Sequence, residues 1–206
     1  MMSMTGSGLA QDAGPIKLPP PEMAGGMPLM QALKARHSAR EFASEALPQQ
    51  VLSNLLWAAN GVNRPDSGKR TAPSARDWRE IDVLVATAEG VFRYDPPAHT
   101  LTRVVDGDLR GLTGMQDFVA TAPVNLVYVA DHDRVSEDAD ADRRARFVAA
   151  DAGFIAQNVY LFCASAGLAT VVRGLVDREA LAKALKLGAN QQVILAQSVG
   201  YPAGRH

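Results

Sequence analysis

The sequence predicts an α+β domain, with a mostly antiparallel sheet flanked by helices. Three observations point there. Helical and strand patterns are mixed without the strict βαβ alternation of a doubly wound sheet. Residues 80–105 read as three strands joined by tight turns, an antiparallel meander. Residues 142–167 read as one long helix, polar at its start and apolar later, long enough to be a central pillar.

Composition sets the bounds. The chain has 206 residues, 47% hydrophobic and 21% charged, which suits one substantial core. A formal net charge of -1 directs it neither to nucleic acid nor to a membrane surface. No apolar run reads as a bilayer span. The single cysteine, Cys163, excludes an intramolecular disulfide and a multi-cysteine metal site; among Tyr160, Leu161, Phe162 and Ala164 it reads as a small buried side chain, not a nucleophile.

The elements follow in order. Residues 1–22 are rich in Gly, Pro, Ser and Met and lack a hydrophobic period, so residues 1–24 are expected to be a flexible or extended arm before a domain at 25–206. The arm lacks the basic start and apolar centre of a signal peptide, which leads to the expectation of a cytoplasmic protein. Ser7-Gly8-Leu9-Ala10-Gln11 nevertheless resembles the surroundings of a signal cleavage site, and an exported form is the alternative. Residues 28–35 read as a short helix with Pro28 at its first turn. Residues 48–60 read as another, with Val51, Leu52, Leu55, Leu56 and Ala59 at helical spacing and Gly61 placed to end it. Residues 63–75 read as a polar loop. Strands are expected at 80–86, 91–94 and 101–105, one or two short helices at 108–121, a buried strand at 123–129 and an acidic loop at 131–140. After the long helix come a short strand at 169–172, a helix at 177–187 with Asp177 as N-cap and Glu179 in its first turn, and a last strand at 192–199 ended by Gly200-Tyr201-Pro202.

The most informative stretch is Arg36-His37-Ser38-Ala39-Arg40. If the preceding helix continues, Arg36 and Arg40 share one face. Two guanidinium groups and a hydroxyl there suit a phosphate monoester, held by charge-assisted, partly bidentate bonds; a solvated basic turn is the alternative. Other motifs fail on their chemistry. Gly68-Lys69 is no phosphate loop, because Asn63 stands where the first Gly belongs and Arg70 where Ser or Thr would bind magnesium. Asp138, Asp140 and Asp142 mimic a calcium loop, but Arg143 replaces the turn Gly and Ala149 the bidentate Glu. His132 has no second histidine at ligand spacing, so no metal site is expected. No serine sits in a nucleophile elbow and no acid–base pair for hydrolysis is present, so no catalytic side chain is assigned. What remains suits a cofactor that brings its own chemistry.

These segments stand in a recognised order. Lys34-Ala35-Arg36-His37-Ser38-Ala39-Arg40-Glu41-Phe42 resembles the first flavin motif of the nitroreductase family of FMN-dependent oxidoreductases. Arg70-Thr71-Ala72-Pro73-Ser74-Ala75-Arg76 resembles its Pro-Ser-Ala loop. Asp151-Ala152-Gly153-Phe154-Ile155-Ala156-Gln157-Asn158 resembles its long dimer-forming helix. Gly167-Leu168-Ala169-Thr170-Val171-Val172-Arg173-Gly174 resembles the strand along the isoalloxazine, and Val199-Gly200-Tyr201-Pro202 the end of the final core strand. The match is close to compact stand-alone members related to the azoline-oxidising branch, and runs from about residue 28 to the C-terminus.

The resemblance implies a nitroreductase-like fold and a homodimer with FMN at the subunit interface. It implies that Arg36, Ser38 and Arg40 bind the phosphate and the polar edge of the flavin, with His37 beside them. Pro73, Ser74 and Ala75 would come from the partner subunit. Val172, Arg173 and Gly174 would line the ring, the last two with backbone N–H groups near N5 and O4, and Arg205 would be a further phosphate ligand. Arg36 is the candidate for the positive group near the N1–C2=O edge. Asp77 stands where many relatives carry Asn; an ionised Asp only accepts, so it would bond flavin N3–H or pair with Arg76 or Arg79. The implied activity is NAD(P)H-dependent reduction of nitroaromatics, quinones or similar acceptors by a ping-pong hydride mechanism, with NADH or NADPH as donor. The alternatives are an oxidase or dehydrogenase of azoline-like rings, and a flavin-binding protein without fast turnover.

Overall fold

The computed structural model of the chain describes residues 14–204. In chain order these form β1 (Ile16–Lys17), α1 (Leu29–Ala35), α2 (Gln49–Asn60), β2 (Val62–Arg64), β3 (Lys69–Arg70), β4 (Ile81–Thr87), β5 (Gly90–Asp95), β6 (Thr100–Asp106), β7 (Val124–Asp131), α3 (Ala141–Ala166), β8 (Ala169–Arg173), α4 (Arg178–Ala184) and β9 (Gln191–Gly200). Among the described residues the main sheet has seven strands in the order β1-β6-β5-β4-β7-β9-β8, and every neighbouring pair is antiparallel. The expected meander is β4–β5–β6. The stretch 108–121 holds two 3-10 turns, Arg110–Thr113 and Asp117–Ala120. The expected polar loop at 63–75 carries the small β2–β3 hairpin.

The core follows from strand alternation. On β4, Ile81, Val83 and Val85 face one side, while Leu84 and Ala86 face the other. On β7, Val124, Leu126, Tyr128 and Ala130 share the first side, and Val127 and Val129 the second. The first side packs against α2 and α3 through Leu55, Leu56, Ala59, Val148, Ala152, Ile155 and Val159; the second is covered by α4 through Leu181 and Leu185. Helices on both faces explain why β7 is apolar on both sides, interrupted only by the buried Asn125, rather than alternating. Each buried aliphatic side chain contributes about 1.5–3 kcal/mol.

α3 is the pillar that its length suggests. It begins at Ala141, one residue before the expected start, and Asp140 caps it by accepting the Arg143 N–H at 2.7 Å. Its length and hydropathy are also those of a membrane-spanning helix, which the reading of apolar runs had not indicated. Its buried face, however, belongs to the core between α2 and the sheet. α2 ends at Gly61 because Trp57 closes over it: a Cβ there would stand 2.7 Å from the Trp57 Cα. From residue 14 the arm is extended. β1 pairs with β6, Leu18 is buried, and Ser53 Oγ donates to the Pro19 carbonyl at 2.6 Å.

Candidate functional site

Helix α1 does not continue through the basic pentapeptide. Arg36 is its C-cap, with φ -56° and ψ 121°, and its N–H closes on the Ala32 carbonyl at 2.9 Å. The shared helical face of Arg36 and Arg40 is therefore replaced by an extended segment. The cause is tertiary. Ala39 N–H donates to the Thr170 carbonyl of β8 at 3.0 Å, and Ser38 Oγ lies 2.7 Å from the Tyr160 hydroxyl of α3. The same hydroxyl accepts the Val172 N–H at 3.0 Å. The Arg36 guanidinium lies over the Tyr160 ring, 5.2 Å from its centroid. His37 Nδ1 lies 2.9 Å from the Ala35 carbonyl; since a carbonyl only accepts, Nδ1 carries the hydrogen. Arg40 is exposed, and among the described residues its guanidinium has no hydrogen-bonding or ionic partner.

β8 is an edge strand, and the 36–40 segment lies along its open side. The outward Thr170 carbonyl and Val172 N–H set the alternation. It turns the Arg173 N–H inward to Ala196 of β9 and leaves the Gly174 N–H on the open side. Of the two amides expected near a flavin, Gly174 is thus the one the ladder leaves unspent. The Arg173 side chain goes to the far face of the sheet, 5% exposed. Its Nη1 donates to the Thr113 carbonyl at 2.7 Å and its Nη2 to Asn125 Oδ1 at 3.0 Å. Desolvation by burial lowers its pKa to about 10.

The Pro73-Ser74-Ala75 turn lies elsewhere on the chain. Ala75 N–H donates to Asp151 Oδ2 at 2.8 Å, and Ser74 Oγ accepts from the Arg79 N–H at 2.8 Å. Pro73 is exposed. Asp151 and Tyr160 are nine residues apart on α3, about 13.5 Å at 1.5 Å per residue. One chain therefore does not bring the turn to the 36–40 segment. Asp77 pairs with Arg79 through contacts of 2.6 and 2.8 Å, and that hydrogen-bonded guanidinium holds its carboxyl below the usual range. Its charge is offset within the loop. Arg205 lies outside the described residues.

Sequence reasoning passed over Tyr160, read only as part of an apolar run, and over Glu80 and Asp151. The available signal was polarity out of place. A phenol or carboxyl in a stretch otherwise made for burial must find a hydrogen-bond partner.

The chain is similar to known proteins in sequence and in fold. Residues 33–201 match the Nitroreductase family. A Methanocaldococcus jannaschii protein assigned to the nitroreductases is 34% identical over 169 residues, covering 77% of this chain and 84% of its own. A crystal structure assigned likewise, from Ralstonia eutropha JMP134, is 47% identical with a TM-score of 0.89, covering 95% of this chain and 93% of that one. The NADPH:FMN oxidoreductase of Vibrio harveyi, solved with NAD+, shares the fold at a TM-score of 0.63 and 21% identity over 85% of this chain and 69% of that one. With its family match, its antiparallel sheet and its long helix, the chain belongs to the nitroreductase family of oxidoreductases.

Proposed function

We propose that the protein is an FMN-dependent oxidoreductase that takes electrons from NADH or NADPH and passes them to nitroaromatics, quinones or similar acceptors in a ping-pong cycle. One observation carries the reading: the donors along the open side of β8 are unspent. The Arg40 guanidinium and the Gly174 N–H have no acceptor among the described residues, and Arg36 is held only over the Tyr160 ring. A Cβ at Gly174 would meet only Leu195 Cδ2, at 3.9 Å, so the strand end is open to a flat ligand. This donor set fits a phosphate monoester at one end and a carbonyl-edged ring at the other.

FMN supplies the hydride chemistry when bound. The chain's own residues bind and orient it. Arg36 and Arg40 meet the phosphate and the polar edge, and Ser38, fixed by Tyr160, sets the height of the segment. The Gly174 N–H donates toward the ring edge. His37 Nε2, left free by the Nδ1 bond, is open to a ligand proton.

The homodimer of this reading takes its support from unpartnered apolar surface. On α1, Leu29 is 63% exposed, Met30 75% and Leu33 45%; on α3, Phe154 is 46% exposed. A stable dimer interface of the obligate kind buries roughly 2,000 Å² or more. Chromatography of heat-released flavin tests the cofactor, with FMN expected and FAD contrary to the proposal. NAD(P)H oxidation with and without a nitro acceptor tests the activity. Turnover with oxygen alone points to an oxidase, and no turnover to a flavin-binding protein. Sedimentation at micromolar concentration tests the dimer.

A further inference from the structure

The Pro73-Ser74-Ala75 turn is fastened to two buried carboxyl groups that the proposed chemistry does not use. Ser74 Oγ donates to Glu80 Oε2 at 3.2 Å, and Ala75 N–H donates to Asp151 Oδ2 at 2.8 Å. Glu80 is 0% exposed and Asp151 3%. A cavity of about 20 Å³ is lined by both, and two lining residues keep buried polar atoms without a hydrogen bond, Glu80 Oε1 and Arg70 Nε.

The charged groups around this cavity are few. β3 contributes Arg70, and the loop contributes Asp77 and Arg79; α2 adds the neutral Asn60, β4 adds Ile81, and α3 adds Ile155 beside Asp151. Arg79 is committed to Asp77. Among the described residues neither Glu80 nor Asp151 has an ion pair. Two ionised carboxylates enclosed together carry a desolvation and repulsion cost that one retained proton removes.

We propose that Glu80 and Asp151 are positioning residues that hold the Pro73-Ser74-Ala75 turn in its cofactor-binding form only while the pair keeps one proton. The inference rests on the FMN reading above. The turn bonds both carboxyl groups, and its Pro73 and Ser74 line the cavity beside them. When the last proton leaves, opening the turn lets water reach both carboxylates. Burial, with the Asp151 charge adding to it, raises the Glu80 pKa from 4.5 to about 7. A raised pKa gives stability that is complete at low pH and lost as pH rises through that value.

The test titrates FMN into the full-length protein by quenching of flavin fluorescence from pH 6 to pH 8.5. If only the protonated pair is competent, apparent affinity scales with the protonated fraction, and it falls about 30-fold across that range for a pKa near 7. Glu80→Gln is neutral at every pH and still accepts from Ser74, so it should lose this slope; the wild-type-minus-variant difference also cancels the ionisation of FMN itself. Asp151→Asn removes the like-charged neighbour and should move the midpoint to lower pH, and it decides the matter if Glu80→Gln does not fold. The tryptophan emission of flavin-free protein, to which Trp78 contributes, should follow the same transition in wild type and not in Glu80→Gln. Equal slopes in wild type and Glu80→Gln, or an unmoved midpoint in Asp151→Asn, would overturn the proposal. Absence of FMN binding at every pH, with the emission transition intact, would instead sink the cofactor reading alone.

Discussion

The Tyr160 hydroxyl stands 2.7 Å from Ser38 Oγ, and that one oxygen ties the basic segment to α3 while it accepts the Val172 N–H at 3.0 Å. A phenol oxygen both donates and accepts, so a single group joins a loop, a helix and an edge strand. Tyr160→Phe keeps the ring under Arg36 but leaves the Val172 N–H without its acceptor. The expected cost is about 1–3 kcal/mol of stability. FMN affinity should fall about tenfold, the equivalent of one lost hydrogen bond of roughly 1.4 kcal/mol. Thermal melts and flavin titration measure the two effects, and an unchanged affinity would show that Ser38 is placed without Tyr160.

Arg40 makes the opposite prediction for folding. Exposed and without a partner among the described residues, it contributes nothing visible to the fold. Arg40→Ala should leave the melting temperature unchanged and weaken FMN binding by about 1.5–3 kcal/mol, the range for a charged hydrogen bond. Lys at this position should lose less, since it keeps the charge but not the planar fork. An unaltered flavin affinity in Arg40→Ala would put the phosphate elsewhere.

The same contrast explains what was legible in the sequence. Elements set by burial periodicity were readable. α2, β7 and α3 carry their patterns locally, and Asp177 caps α4 as its position predicts, accepting the Ala180 N–H at 3.0 Å. Features set by distant partners were not. The reading of residues 28–35 as a short helix matches α1, but the extended course of residues 36–40 depends on Thr170 and Tyr160, more than 120 residues away in sequence. Ile16 and Lys17 read only as part of a flexible or extended arm, without a strand of their own, because the pairing partners that make β1 a strand belong to β6. The site divides the same way. Arg36, Ser38 and Arg40 were legible as residue types that suit a phosphate. The Tyr160 hydroxyl and the Glu80–Asp151 pair became visible only when the fold enclosed them.

The buried Arg173 carries a stability prediction. Among the described residues it has no ion pair, and its guanidinium fills the space beside Gly114: a Cβ on that glycine would lie 1.9 Å from Arg173 Nη1. The Gly114 backbone is extended, so the conflict is steric only. Gly114→Ala should displace the guanidinium from the Thr113 carbonyl and cost about 1–3 kcal/mol, the usual overpacking range. In an Arg173→Met background the same substitution should cost clearly less, because the pinned group is gone. A double-mutant cycle by denaturant unfolding reads the coupling, and strict additivity would mean that the two residues do not share the space.

The last prediction concerns acid. His99 joins the arm to the domain: Tyr94 Oη lies 2.9 Å from its Nδ1, and its Nε2 lies 2.7 Å from Ser53 Oγ and 3.1 Å from the Pro19 carbonyl. The carbonyl only accepts, so Nε2 carries the hydrogen and Nδ1 accepts from the tyrosine when the ring is neutral. Burial holds the His99 pKa below its ordinary 6.5. The unfolded chain therefore takes up this proton at a higher pH than the native one. The stability contributed by the neutral ring is complete above about pH 6.5 and is lost as pH falls through the native value. His99 also sits at φ 51°, a conformation Asn tolerates better than most residues, so His99→Asn is the cleanest probe. At pH 7.5 it should cost about 1–3 kcal/mol through the hydrogen bonds it abandons. Between pH 6.5 and pH 5 the wild type should lose stability more steeply than the variant, and the two melting curves should converge. Parallel pH profiles would show that the His99 proton does not hold the arm.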